Sequence, residues 1–276
     1  MITLPGIAPQ LARYAAFLVD QFGTLHDGTT PYPGAAAALR RMRAAGKSVV
    51  LLSNSGKPSA PNARRLERLG FGPDLYDLLL TSGEAAQRLL AQDAIPAARG
   101  ARRCLLLERD GDGALLDTLG LTPAGPDAAE LVIIAGSEGD RRPLDWYDAL
   151  LAAPARRGVP ALCLNPDRTM LTPAGLAFGA GRIAECYQAL GGEVTWIGKP
   201  HRAIYDMALA AIGHPAPDEV AGIGDSVEHD IVGARRTGCA AWLVRAGIID
   251  GWDDSAIAAE CARRGALPDG LLEAFA

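Results

Sequence analysis

Residues 15–25 read Ala15-Ala16-Phe17-Leu18-Val19-Asp20-Gln21-Phe22-Gly23-Thr24-Leu25, an unbroken apolar run that ends on an acid and opens into a glycine loop. A run this short without polar alternation reads as a strand buried on both faces. Such strands need helices above and below the sheet, and the neighbouring sequence supplies them. Residues 34–45 have a helical pattern stopped by Gly46, residues 48–52 form the next apolar strand, and residues 62–69 form a helix closing at Gly70. Residues 78–80 are a short apolar run before a helix capped by Ser82. Further strands are expected at 104–107, 131–134, 161–164, 194–197, 220–223 and 240–244, with helices at 182–190, 202–212, 228–237 and 254–264. Apolar strands alternating with helices predict an α/β fold built on a doubly wound parallel sheet. Proline- and glycine-rich patches at 96–100, 123–126 and 154–160 read as loops.

The 276 residues are 49% hydrophobic and 21% charged, the balance of a globular chain with a real core. A formal charge of −5 with no basic block argues against a nucleic-acid surface. Apolar runs such as 49–52 and 131–135 are far too short to span a bilayer, and Arg13 and Asp20 interrupt the only candidate leader stretch. Five cysteines at least 22 positions apart read as reduced, buried thiols rather than a disulfide scaffold or zinc site. The expected setting is cytoplasmic. Only Lys47, Lys57 and Lys199 are lysines among 27 basic residues, so each marks a place where a compact ammonium serves and a guanidinium does not.

Ligands of a doubly wound sheet bind beyond the carboxyl ends of its strands. Four strand candidates end in polar residues: Asp20; Ser53-Asn54-Ser55; Gly198-Lys199-Pro200; and Gly224-Asp225-Ser226, with Asp230 five positions after Asp225. A carboxylate, a hydroxyl, an ammonium and a carboxylate pair on one edge are the parts of metal-assisted phosphoryl transfer. Taken singly, Asp20 reads equally as a turn former, Ser53 as an N-cap, and Asp225 and Asp230 as decoration of the following helix. His201 and His229 read as exposed helix residues.

The ordered set Asp-x-x-Gly-Thr, Ser-Asn, Gly-Lys-Pro and Gly-Asp-Ser-x-x-x-Asp resembles the four motifs of the haloacid dehalogenase (HAD) superfamily of hydrolases. Leu25-His26-Asp27-Gly28, Leu164-Asn165-Pro166-Asp167 and Gly198-Lys199-Pro200 resemble its class IIA branch of nitrophenyl-phosphatase-like and sugar-phosphatase-like enzymes. The resemblance implies a Rossmann-like core at 1–81 and 185–276 with an inserted α/β cap at 82–184. Spacing agrees, because 33 residues separate Asp20 from Ser53 and 146 separate Ser53 from Lys199, room for a domain only in the second gap. The implied activity is Mg2+-dependent hydrolysis of a small phosphomonoester, a phosphorylated metabolite, through an aspartyl-phosphate on Asp20. Asp20, the backbone carbonyl of Phe22, Asp225 and, in support, Asp230 would hold Mg2+. Ser53, Asn54 and Lys199 would bind the phosphoryl group, and Asn165 and Asp167 would face the substrate. Dimers formed through the cap occur in families of this kind, so a homodimer is among the expected assemblies.

The chain departs from that pattern at one position. Phosphatases of the superfamily carry a second Asp two residues after the nucleophile, where it protonates the leaving group; here Phe22 stands. A general acid typically contributes ~10²–10⁴-fold. This leaves two rivals: a phospho-ligand binder with little turnover, and carbon-centred dehalogenation, whose enzymes carry an aromatic residue there and need no Mg2+. Retention of Asp225 and Asp230 speaks against the second rival. His26 and Asp27 are the candidate substitutes for the missing acid, although Asp27-Gly28 also reads as a turn.

Overall fold

The computed structural model describes residues 2–111, 113–172 and 175–276. In chain order the strands are β1 (Ile2–Leu4), β2 (Ala16–Asp20), β3 (Ser48–Ser53), β4 (Leu78–Thr81), β5 (Arg103–Leu107), β6 (Thr122–Pro123) and β7 (Leu131–Ile134). They continue with β8 (Ala161–Cys163), β9 (Thr169–Thr172), β10 (Gly175–Phe178), β11 (Val194–Trp196), β12 (Val220–Gly224), β13 (Ala240–Val244) and β14 (Gly270–Leu272). The helices are α1 (Ala35–Ala44), α2 (Ser59–Arg68), α3 (Ser82–Ala91), α4 (Ala114–Leu119) and α5 (Leu144–Arg156). After these come α6 (Ala180–Ala189), α7 (Arg202–Ala211), α8 (Val232–Arg236) and α9 (Asp254–Arg264). The chain is α/β, as the strand-and-helix alternation predicts.

Two compact units share the chain. The first comprises residues 2–53, 59–80 and 199–276 and is organised by a seven-stranded sheet in the order β1-β14-β13-β12-β2-β3-β4. From central β2 the chain steps outward through β3 and β4, then returns beside β2 at β12 and steps outward the other way. The gap between β2 and β12 is therefore the topological switch point, where an open parallel sheet offers its ligand crevice. Strand β2 is buried along its whole length, which explains its unbroken apolar sequence. Helix α1 covers the sheet with Ala35, Ala38, Leu39 and Met42, an apolar stripe at helical spacing that joins Phe17, Val19, Leu51 and Trp242 in one core.

The second unit comprises residues 54–58 and 81–198 and carries its own five-stranded parallel sheet, order β11-β8-β7-β5-β6, with a separate antiparallel hairpin of β9 and β10. Its core gathers Ile134, Tyr147, Leu151, Ile183 and Tyr187. The boundary expected before residue 185 falls instead after Gly198. Val194, Thr195 and Trp196 pair in register with Ala161, Leu162 and Cys163, and α6 packs into the second core, so residues 185–198 are held there. Residues 54–58 are also grouped with this unit rather than with the first.

Other differences are local. The helix expected over 228–237 is a π turn, Val227–Ile231, leading into the short α8. Strands β1 and β14 extend the first sheet where the sequence suggested none, and β6 pairs with β5 inside a stretch that reads as loop. Helix α5 runs through Pro154, two residues before its end. No helix among the described residues is long and apolar enough to cross a membrane.

Candidate active site

Register places the polar strand ends of the first unit side by side. Asp20, the last residue of β2, lies opposite Leu52, so Ser53 stands one step further along β3. Val19 lies opposite Ile223 on the other side, which brings Gly224 and then Asp225 to the same edge. Lys199 is buried at 3% exposure and joins two of the acids: its Nζ donates to Asp20 Oδ1 at 2.5 Å and to Asp230 Oδ1 at 2.7 Å. Asp20 Oδ2 accepts from Thr24 Oγ1 at 3.2 Å. Asp225 Oδ2 accepts from the backbone N–H of Ile248 at 2.7 Å, and Asp230 Oδ2 from that of Ser226 at 3.1 Å. The three aspartates bring carboxylate oxygens within 4.8 Å of one another.

The π turn aims Asp230. Ser226 caps it, its Oγ accepting from His229 N–H at 3.2 Å, and Tyr205 from α7 donates its hydroxyl to the His229 carbonyl at 3.2 Å. The turn buries His229, against the exposed position its helical pattern predicts. Two glycines let the neighbouring loops close on Asp225: a Cβ on Gly23 or on Gly247 would collide with its carboxylate, and both have positive φ, +88° and +55°.

Burial governs the electrostatics. It pushes the Asp20 carboxyl up to about 7 against the pull of the Lys199 ammonium, while Asp230 pushes the same way as burial. Asp225 is raised well above the ordinary carboxylate range by burial, with Asp20 and Asp230 adding to it. Burial works against the Lys199 cation, but Asp20 and Asp230 outweigh it and its pKa stands well above the usual value. Three buried carboxyls share one ammonium, a deficit of positive charge that a divalent cation would fill. The donor set is all oxygen, which suits a hard cation such as Mg2+ or Ca2+.

The loop after Asp20 shows what became of the candidate acids. Asp27 is exposed, and its Oδ1 accepts from Thr29 N–H at 2.8 Å, Thr29 Oγ1 at 2.9 Å and Thr30 N–H at 2.7 Å, so it builds a turn. His26 is buried, its Nδ1 accepting from Gly28 N–H at 2.9 Å. The Phe22 ring stands edge-on to His26 with centroids 5.9 Å apart, and is 44% exposed.

The sequence reading also named Asn54, Asn165 and Asp167, which lie together in the second unit. Asn54 Nδ2 donates to Asp167 Oδ1 at 2.8 Å, and Asp167 N–H donates to Asn165 Oδ1 at 3.0 Å. Thr24, Tyr205, and the Ile248 amide were missed as parts of the site. A threonine in a glycine loop carries no distinguishing signal, and a backbone amide leaves no mark in sequence.

Comparison with known proteins adds context. A family model described as haloacid dehalogenase-like hydrolase matches residues 17–122, and a second, described as HAD-hydrolase-like, matches residues 196–273. The bovine (Bos taurus) haloacid dehalogenase-like hydrolase domain-containing protein 2 is 31% identical over 234 residues, covering 84% of each chain. D-glycerol 3-phosphate phosphatase of Mycobacterium tuberculosis is 30% identical over 256 residues, 91% of this chain and 68% of the relative. Among solved structures, p-nitrophenyl phosphatase from Archaeoglobus fulgidus superimposes with a TM-score of 0.75 at 25% identity, covering 95% of this chain and 97% of that one.

Proposed function

Because the chain belongs to the haloacid dehalogenase-like hydrolases, we propose that it hydrolyses a small phosphomonoester by a Mg2+-dependent, two-step displacement on Asp20. Phosphatases among its relatives support the reaction class. The observation that carries the mechanism is Asp20 at the switch point, with Lys199 Nζ at 2.5 Å from one oxygen and Thr24 on the other.

In this reading one carboxylate oxygen of Asp20 attacks phosphorus while the ester bond breaks, and water then frees phosphate and restores the carboxylate. Lys199 holds the nucleophile in line and offsets charge on the phosphoryl oxygens, which Ser53 and Asn54 bind as hydrogen-bond donors. Asp20, the Phe22 carbonyl and Asp225 would hold Mg2+, with Asp230 steadying the site through Lys199 and Ser226. The cation would supply charge neutralisation for a dianion approaching three carboxylates. The second unit is proposed as the cap, with Asn165 and Asp167 on the substrate's side.

The test is turnover of an aryl phosphate with and without Mg2+, in the natural chain and in Asp20→Asn. Turnover that needs Mg2+ and disappears in the variant is expected. Unchanged turnover in a folded Asp20→Asn would sink the nucleophile assignment. Phe22 favours a second reading, a phospho-ligand binder with little turnover, and phosphate binding without hydrolysis of any ester would select it. Dehalogenation is disfavoured, since the further pair of buried carboxylates, Asp225 and Asp230, has no use at an uncharged carbon.

A further inference from the structure

Large apolar side chains are exposed at seven places among the described residues, and two of them flank Asp225. Phe22 is 44% exposed, although Gln21 before it and Gly23 after it are buried. Ile248 is 57% exposed, although its own N–H is fixed on Asp225 Oδ2. The two are neighbours through their glycines: Gly23 and Gly247 both press on the Asp225 carboxylate, and a Cβ on Gly247 would come within 2.5 Å of Gly23 Cα. The ring of Phe22 is fixed as well, because it lies over Gly28, where a Cβ would stand 2.9 Å from Cε2. The rim beside the acid cluster thus carries two apolar side chains on backbone that is itself held close to Asp225.

Among the described residues, that rim is also poor in proton donors. Asp27 is used by its turn, and His26 Nδ1 accepts from the backbone. The Tyr32 phenol lies toward Gly247 and Asp225 and is the remaining candidate donor. An alkoxide is nearly as basic as hydroxide, whose parent water has a pKa of 15.7, whereas a phenolate such as tyrosine's is stable near pH 10. The first needs a donor as it departs; the second does not.

We propose, resting on the phosphatase reading above, that the site takes aryl phosphates, whose leaving group docks on Phe22 and Ile248 and departs as an unprotonated aryloxide. The P–O(aryl) bond breaks as the Asp20–phosphorus bond forms, the electron pair leaves on the aryl oxygen, and solvent protonates it afterwards. Water then adds to phosphorus, the Asp20–phosphorus bond breaks back to the carboxylate, and the water's proton passes to solvent.

The experiment compares kcat/KM across phenyl phosphates of graded phenol acidity and for glycerol 3-phosphate, with Mg2+, in the natural chain, Phe22→Asp and Ile248→Ser. Rates should fall steeply as the phenol becomes less acidic, with glycerol 3-phosphate ~100-fold or more below the activated esters. Phe22→Asp should narrow that gap at least several-fold. Ile248→Ser should raise KM for the aryl esters about 10-fold, a larger change than it makes in kcat. A shallow dependence with glycerol 3-phosphate equally fast overturns the proposal, and if Tyr32→Phe then steepens it, Tyr32 is the donor. An unchanged KM in Ile248→Ser overturns the docking surface even if Phe22→Asp fails to fold. Asp20→Asn separates the two levels: aryl turnover lost there with a shallow slope in the natural chain keeps the phosphatase reading and rejects this one. No turnover of any ester rejects both.

Discussion

Asp225 and Asp230 sit five residues apart and are held differently. Both oxygens of Asp230 are engaged, one by Lys199 and one by the Ser226 amide, whereas among the described residues only Oδ2 of Asp225 is taken, by Ile248. Asp225 therefore has an oxygen to give a cation, and Asp230 acts through what it holds. Asp230→Asn should weaken Mg2+ binding roughly 10- to 100-fold, and Asp225→Asn should weaken it more; titration calorimetry giving the opposite order would reverse the two roles. A second residue-level expectation concerns His26. Burial lowers its pKa to about 4, with Arg65 pushing the same way and Asp27 opposing. The folded protein keeps this imidazole neutral while the unfolded chain protonates it below about 6.5. Its contribution to stability is thus present above pH 6.5 and lost as pH falls toward 4, at most about 3 kcal/mol. His26→Asn, which keeps an acceptor for Gly28, should flatten urea-midpoint stability over that window; an equally steep variant would show that other groups carry the loss. At this scale the sequence was most legible where a polar residue follows an apolar strand, as at Asp20 and Asp225, which the fold brings to one edge with Lys199. It was least legible where a common residue or an amide does the holding, as with Thr24 and Ile248.

The π turn at Val227–Ile231 shows why an element can be seen and still be misread. Apolar spacing over 228–237 suits a single helix, and one extra residue per turn hardly alters that pattern over so short a stretch. What sets the turn is tertiary: the Ser226 cap, and the Tyr205 hydroxyl on the His229 carbonyl at 3.2 Å and the Asp230 carbonyl at 3.4 Å. Tyr205→Phe should cost about 1 kcal/mol of stability and also weaken Mg2+ binding, because Asp230 rides on that backbone. A lower urea midpoint with unchanged Mg2+ affinity would confine Tyr205 to the fold. The missed strands have a related cause. β1 and β14 are three residues each, too short for a pattern, and they are defined by pairing Ile2 with Gly270 and Leu4 with Leu272 across the length of the chain. Central strands were read to within a residue or so, since burial on both faces writes itself as an apolar run.

On the scale of the whole molecule, each unit has its own parallel sheet and its own core, and the three aspartates all belong to the first. A ligand stabilises what it binds by about 2.7 kcal/mol at a hundred times its dissociation constant. Saturating Mg2+ should slow amide exchange in β2 and β12 and leave β7 and β8 as they were; equal protection in both sheets would mean that the cation is felt throughout. The two-unit division was legible from the long gap between Ser53 and Lys199, but its far edge was not, because only the pairing of β11 with β8 shows that residues 194–196 are claimed by the second sheet. Finally, the scarcity of lysine gives the protein a built-in gauge of opening. Lys57 is exposed, Lys47 half-buried and Lys199 3% exposed between two carboxylates. An amine-acylating reagent will mark the first two in the native state, while the third becomes reactive only when the first unit opens, so the rate at which that last label appears times the unfolding of the sheet that carries Asp20.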